Sequence, residues 1–364
     1  MKIIFLSAAN SIHTVRWVNS LSEKGVEVHL ISLSNHKERA ENKITKKSKI
    51  YYLPFRETKG YYLNVFALKK LINKIKPNLI NVHYASGYGT LSRIVNFEKT
   101  LLNIWGSDVY DFPNESKIKK KILEKNLKSA TYIASTSNVM AKEVNKYTDK
   151  DIFITPFGVD AKLFFPQNLK KENNKITIGI VKTLEEKYGI EYLLKAFKKV
   201  LEKSKKDNFN KEIELAIYGE GELKERLIEL SKKFKISSKV RFEGYIDNKK
   251  VPEAVNKMDI FCVPSLQESF GVAAVEAMAC EIPVISSDAD GFTEVMEDEV
   301  TGYVVPKKDT DALANRMYEL ILDENKRKGF GKNGRRRVLE LYDWDKNVDN
   351  MINIYKQIID KNRG

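Results

Sequence analysis

At 364 residues the chain is long enough for two domains with separate cores. Apolar residues make up 42% and charged residues 31%, the proportions of a water-exposed globular protein, and no apolar run reaches the roughly eighteen residues that a spanning helix needs. The net charge of +14 calls for an anionic partner (a membrane surface, nucleic acid or an anionic substrate) or reflects nothing more than a lysine-rich, solvated surface.

With no RNA-recognition aromatic motif, zinc spacing or arginine-rich arm in the sequence, nucleic acid is the weaker of these partners. Cys262 and Cys280 each stand in an apolar stretch and read as small core residues of a reducing compartment. The opening MKIIFLSAANS lacks the apolar core and cleavage site of a signal peptide and reads as a first buried strand.

In chain order, short apolar runs predict strands at 3–7, 26–32, 79–83, 101–105, 132–135 and 151–155. Helical patterns fall between them at 14–24, 63–76 and 117–128. A boundary follows at 156–175, where Pro156, Gly158 and Pro166 precede the aperiodic polar run LKKENNK. Strands are then predicted at 176–181, 213–218, 240–242, 260–263 and 283–286, with helices at 190–202, 222–234 and 309–322. A last amphipathic helix covers 345–361. Strand–helix alternation twice over predicts an α/β protein with two parallel, doubly wound sheets and right-handed crossovers. Ligands of such sheets bind beyond the carboxyl ends of the strands.

The stretch 263–284, VPSLQESFGVAAVEAMACEIPV, carries the chemistry. Glu268 and Glu276 stand eight positions apart, the second on a small-residue helix expected at 273–280. A strand-to-helix junction aims free N–H groups and the positive end of a helix dipole at an anion. Gly271 lets the backbone approach that anion. Glu276 is placed to accept the two hydroxyls of a ribose. Glu268 would repel a phosphate and so is expected to face the hydroxyls of a sugar. Together these features fit a site that grips a sugar nucleotide.

This run, followed by PVISSDADGFTEV and TGYVVP, resembles the carboxylate signature of the family-4 retaining glycosyltransferases (glycosyl transferases group 1), and the order of features matches over nearly the whole chain. The resemblance implies the GT-B fold, two Rossmann-like domains facing a cleft. It assigns 1–158 to acceptor binding, 173–344 to nucleotide-sugar binding and 345–364 to a helix that crosses back onto the first domain. The implied activity is transfer, with retention, of a sugar from a UDP- or GDP-sugar to a hydroxyl of a glycan or lipid-linked acceptor. Neither a cofactor nor a metal is implied. The implied location is cytoplasmic, with a peripheral contact at the inner face of the membrane as a further option.

The family's Arg and Lys, five residues apart, match Lys182 and Lys187 in GIVKTLEEKYG, and both are expected at the diphosphate. A lysine at the first position gives up the bidentate fork of arginine. The resemblance sets Gly219, in YGEG, and Tyr245, in VRFEGYI, at the nucleotide, Ser265 at the same wall, and the N–H groups around Phe270, Gly271 and Val272 on phosphate. Turn formation accounts for Gly219 equally well, and a capping role for Ser265. Asp290 stands where the family has the first of two glycines, which puts a close backbone approach at Asp290-Gly291 in doubt.

In the first domain, AANSIHTVRW resembles a subgroup with Asn-Ser-x-His, and places His13 and Arg16 at the cleft; a core or capping histidine is the alternative. His83, at a strand end, lines the acceptor side or simply bonds backbone. Where relatives have a histidine beside the reacting carbon this chain has Trp105, which donates but cannot accept a proton. Asp108 is then the nearest side chain to bond a sugar hydroxyl, or caps the following turn. The leaving phosphate can itself take the acceptor's proton.

The stretch SKIKKKILEKNLKS at 116–129 reads as a packed surface helix or as a basic amphipathic helix on an anionic membrane. A sugar-nucleotide epimerase on the same fold needs a proton-abstracting pair that the sequence lacks. A non-catalytic sugar-nucleotide binder stays open through the Lys-for-Arg and Trp-for-His departures.

Overall fold

The computed structural model describes residues 1–40, 43–169 and 172–361. The linker run at 169–175 and the terminal segment at 345–364 both extend outside these residues. The chain forms two compact units, Met1–Phe157 with the described part of Asp345–Gly364, and Gly158–Trp344.

The first unit is built on seven parallel strands: β1 (Lys2–Leu6), β2 (Glu27–Leu33), β3 (Lys49–Leu53), β4 (Leu79–His83), β5 (Thr100–Ile104), β6 (Tyr132–Ser135) and β7 (Ile152–Ile154). Their order is β3-β2-β1-β4-β5-β6-β7, so the winding reverses between β1 and β4. The central strands are buried along their whole length, as strands covered by helices on both faces must be. β3 was not expected. Its sequence, KIYYL, lies at the sheet edge with most side chains part-exposed, so it leaves no continuous apolar run.

The helix predicted over 63–76 forms as Val65–Ile75, and a second helix outside that prediction, Glu57–Leu63, precedes it across a break. The break is made by Asn64, fully buried, whose amide donates to the Phe55 carbonyl (2.8 Å) and accepts from the Phe55 N–H (3.1 Å). An asparagine that bonds local backbone competes with the helical ladder.

The helix Trp344–Asp360 packs into this unit through Val348, Met351, Tyr355 and Ile358, one face at helical spacing. Burial of each such side chain is worth about 2 kcal/mol. Lys24 pairs with Asp349 (2.6 Å), and Asn347 and Asn350 donate to the carbonyls of Pro156 and Ile154.

The second unit has six parallel strands: β8 (Lys175–Val181), β9 (Glu212–Tyr218), β10 (Val240–Gly244), β11 (Ile260–Val263), β12 (Val284–Ser287) and β13 (Gly302–Val305). Their order, β10-β9-β8-β11-β12-β13, reverses between β8 and β11. β13, only four residues long, was also not expected. The helices Ile190–Lys206 and Thr310–Leu322 close the core with Leu193, Phe197, Leu313 and Met317. Among the described residues no helix is long and apolar enough to cross a membrane.

Candidate functional site

At the switch point of the second sheet, the carboxyl ends of β8 and β11 lie side by side. After β11 the chain runs through Pro264–Gly271 into the helix Val272–Ala279. Gly271 precedes that helix at φ +102°, and a Cβ there would stand 2.8 Å from the Phe292 ring, so both conformation and space demand glycine. The N–H groups of Ala274 and Val275 bond the Gly271 carbonyl, and those before them in the first turn have no acceptor within the helix.

Phe270 is 2% exposed and packs edge-on against Tyr342. Its ring anchors the loop, and what it can offer a ligand is backbone. Val272 is half-buried. Asp290 left a close approach at this loop in doubt; the structure makes that approach at Gly291. A Cβ on Gly291 would lie 2.5 Å from the Phe270 nitrogen, and its N–H donates to the Glu268 carbonyl (2.9 Å).

Lys182, just past β8, reaches Glu268 with a 2.8 Å contact from Nζ to Oε2, and the two side chains are 16% and 11% exposed. Burial alone would lower the Lys182 pKa. The charge of Glu268, followed by Tyr188 and then Glu276, outweighs burial and leaves the ammonium above its ordinary value. Lys182 also lies over the Tyr188 ring, 4.3 Å from its centre, and Lys187 lies 5.1 Å from the same ring. Lys187 is exposed and pairs with Glu185 (2.9 Å). Glu276, one turn into its helix, is half-buried.

Three glycines hold these groups in register. Gly219 (φ +140°) passes so close to Lys182 that a Cβ would meet the Lys182 carbonyl oxygen at 1.9 Å. Gly219 thus packs on the backbone that carries Lys182, the residue expected at the diphosphate. Gly221 packs in the same way on Leu184. Gly189 (φ +66°) would meet the Pro264 carbonyl at 2.1 Å, and the Lys187 carbonyl accepts the N–H groups of Leu266 (2.7 Å) and Gln267 (3.3 Å). The Lys187 turn and the Glu268 loop are thus joined backbone to backbone. Tyr188 and Gly189 had no assigned role. A glycine directly before a helix start was the available signal for the second.

Ser265 is 1% exposed, and its carbonyl accepts the Ser287 hydroxyl, so it belongs to the packed wall. Tyr245 is 74% exposed beyond β10, at the sheet edge. Among the described residues, no three His, Cys, Asp or Glu side chains gather as a metal-binding group.

In the first unit the carboxyl ends of β1, β4 and β5 carry an aromatic cluster. His13 stacks on Phe157 (4.2 Å between centres), meets Trp105 edge-on (5.6 Å) and has Arg16 one turn along its helix. Tyr84, at φ +71°, also meets Trp105 edge-on. His83 is fully buried between Phe5 (4.3 Å) and Trp105 (4.4 Å), with Nε2 bonded to the Asn81 amide. Asp108, 1% exposed, accepts the N–H groups of Ala85 (2.8 Å), Gly106 (2.9 Å) and Trp105 (3.2 Å). It ties the loop after β4 to the loop after β5, and burial, only partly offset by those bonds, raises its pKa.

Burial, and after it Arg16, pulls His13 down to about 4 from 6.5, and burial pulls His83 well below its ordinary value. In that interval the unfolded chain binds protons that the folded unit refuses. Stability therefore rises with pH: it is full above about pH 6.5 and drains as pH falls toward about 4. His13 alone contributes up to about 3 kcal/mol of that loss. Denaturant midpoints at about pH 7.5 and about pH 4.5 should show it, and His13→Gln should flatten the slope. An unchanged slope would place the acid sensitivity elsewhere.

Two family models cover most of the chain: glycosyl transferases group 1 matches residues 160–337, and glycosyl transferase 4-like matches residues 2–137. The chain belongs to the group 1 glycosyltransferases. An uncharacterised glycosyltransferase of Methanocaldococcus jannaschii is 29% identical over 197 residues, 54% of this chain and 49% of that protein, so this alignment spans about half of the relative. The N-acetyl-alpha-D-glucosaminyl L-malate synthase of Bacillus anthracis is 26% identical over 302 residues, 78% of this chain and 76% of that one.

Among solved structures, the sucrose-phosphate synthase of Thermosynechococcus elongatus superposes with a TM-score of 0.83 at 21% identity, covering 99% of this glycosyltransferase and 100% of that chain. HepE of Anabaena, in complex with UDP, gives 0.79 at 15% identity, covering 98% and 100%. The fold of this group 1 glycosyltransferase is therefore GT-B, with two Rossmann-like units.

Proposed function

We propose that the protein transfers a sugar, with retention, from a UDP- or GDP-sugar to a hydroxyl of a glycan or lipid-linked acceptor in glycan or surface polysaccharide assembly. The observation that carries this reading is the Lys182–Glu268 pair set beside the glycine-started helix that bears Glu276. Cations and free N–H groups suit a diphosphate, and the carboxylates suit hydroxyls. The UDP bound to HepE, a protein of the same fold, supports a nucleoside diphosphate as the leaving group.

In this reading the bond from the sugar's anomeric carbon to the phosphate oxygen breaks. The negative charge that builds on the leaving diphosphate is met by Lys182, Lys187 and the N–H groups at 270–272. Glu268 turns to the sugar hydroxyls and Glu276 holds the ribose. The acceptor oxygen bonds the same face of the anomeric carbon, and its proton passes to the leaving phosphate oxygen. Lys182 and Lys187 supply the positive charge in this scheme, so transfer is expected to continue with a chelator present. The acceptor is assigned to the first unit, where His13, Arg16 and Trp105 lie, and the reaction to the cytoplasm.

A thermal-shift panel of nucleoside diphosphates and sugar nucleotides, without added metal, tests the pocket. A ligand at about a hundred times its dissociation constant adds about 2.7 kcal/mol of apparent stability. One base should shift the melting selectively, Glu276→Ala should weaken that shift, and the matching sugar donor should give a product of unchanged anomeric configuration by NMR. No shift with any nucleotide would defeat the proposal.

Tyr188 gives a finer test. Its ring lies within cation–π reach of both lysine ammoniums, at 4.3 and 5.1 Å. Such contacts are worth about 0.5–2 kcal/mol each. Tyr188→Leu should weaken nucleoside diphosphate binding roughly three- to thirtyfold by calorimetry, while Tyr188→Phe should stay near the parent. Equal losses in both variants would assign the effect to the phenol hydroxyl instead.

A further inference from the structure

The first unit leaves a cluster of large apolar side chains uncovered. Phe66 is 85% exposed, Leu63 51%, Phe55 47% and Tyr62 46%. They are brought to one corner by Asn64, whose amide clamps the Phe55 backbone against the break between Glu57–Leu63 and Val65–Ile75. The opposite face of these helices is spent on the core, through Gly60, Leu68, Ile72 and Ile75. The corner is therefore not needed for folding, and its exposure calls for a partner.

Its surroundings say which partner. Arg56, Lys59, Lys69, Lys70 and Lys74 are exposed around it, and Glu57 is the one acid in the stretch 55–74. None of these five cations has an ion-pair partner among the described residues. The helix Gly87–Val95 packs against both of these helices and also against Lys117–Ser129, so all of them lie on one side of the sheet. Lys117–Ser129 adds Ile118, 71% exposed, among Lys117, Lys120 and Lys121.

We infer that this side of the first unit docks on a lipid bilayer carrying anionic headgroups, with Phe66, Leu63 and Tyr62 entering the interface and the surrounding lysines on the headgroups. A second copy of the chain is a poor occupant, because a self-complementary contact would set these lysines against themselves. The sequence offers the helix at 116–129 as a packed surface helix or for such a contact. The structure makes that helix the flank and the corner at 55–66 the centre. The inference stands independently of the donor.

The test is co-sedimentation of the full chain with vesicles of phosphatidylcholine alone, or of phosphatidylcholine and phosphatidylglycerol in equal amounts. The chain should sediment with the anionic vesicles and stay free of the neutral ones. The pair Leu63→Ser with Phe66→Ser, and separately the pair Lys69→Glu with Lys70→Glu, should each lower partitioning on the order of tenfold or more. Both variants should melt as the parent does and keep its nucleotide-induced shift, because the altered side chains are exposed and belong to the other unit. Failure of the parent to bind anionic vesicles, or unchanged binding in both variants, would overturn the inference. So would a dimer in sedimentation equilibrium that Phe66→Ser disperses, which would make a second copy the occupant.

Discussion

Glu268→Gln is expected to slow sugar transfer by roughly 10²–10³-fold while nucleoside diphosphate still binds. The substitution keeps the shape of the side chain and an oxygen for Lys182, but removes the charge that does most to hold up the Lys182 pKa against burial. Breaking a fully buried ion pair costs about 3–5 kcal/mol. Here both side chains retain some exposure and Glu276 remains close, so a loss of about 1–3 kcal/mol is expected, the range of a hydrogen bond to a charged group.

A nucleoside diphosphate would return the missing negative charge to Lys182. Its stabilising effect on the variant should therefore exceed its effect on the parent. Denaturant midpoints with and without diphosphate, measured beside transfer rates, separate the two roles of Glu268. A smaller diphosphate effect in the variant would mean that Lys182 does not meet the phosphate. Transfer at the parental rate would remove Glu268 from the sugar.

The strands that carry the site were legible because they are buried on both faces and read as unbroken apolar runs. β8 and β11 fall where the sequence places them, and the switch point between them follows from the alternation of elements. The helix start at Gly271 was legible because the left-handed region admits glycine far more readily than other residues. What a linear pattern does not carry is which backbone a glycine lies against. That Gly219 is the seat of Lys182 is not in the turn pattern YGEG, and Gly189 has no assignment although it sets the Lys187 turn on Pro264.

Asp108 and His83 stay open in the sequence between a site role and a local one for a related reason. A strand end is where ligands bind, but it is also where a sheet's loops must be tied together. The three backbone N–H groups converging on Asp108 show it in the second use. β3 and β13 were missed for a simpler reason: an edge strand of tyrosines and a four-residue strand leave almost no periodic signal.

Gly219→Ala should be among the most damaging single-methyl additions available, and it links stability to the site. The added carbon would lie 1.9 Å from the Lys182 carbonyl oxygen and 2.9 Å from its carbonyl carbon, both backbone atoms that cannot swing aside. A left-handed φ strains any residue with a Cβ by about 1–3 kcal/mol, and overpacking adds about 1–3 kcal/mol more. In a unit of this size each kcal/mol moves the melting temperature by about 2–4 °C, so a fall of roughly 10 °C is expected.

The relaxation that relieves the clash must move Lys182 or the turn beside it. Diphosphate affinity should therefore drop at least about tenfold, measured where the variant is still folded. Gly329→Ala is the control. This glycine lies exposed inside the helix Glu324–Leu341 with nothing within 4 Å of an added Cβ, so alanine should raise stability by up to about 1 kcal/mol and leave nucleotide binding unchanged. If Gly219→Ala instead melted and bound as the parent does, the turn would have to give way freely. Lys182 would then be positioned by its pair with Glu268 and its stack on Tyr188 alone.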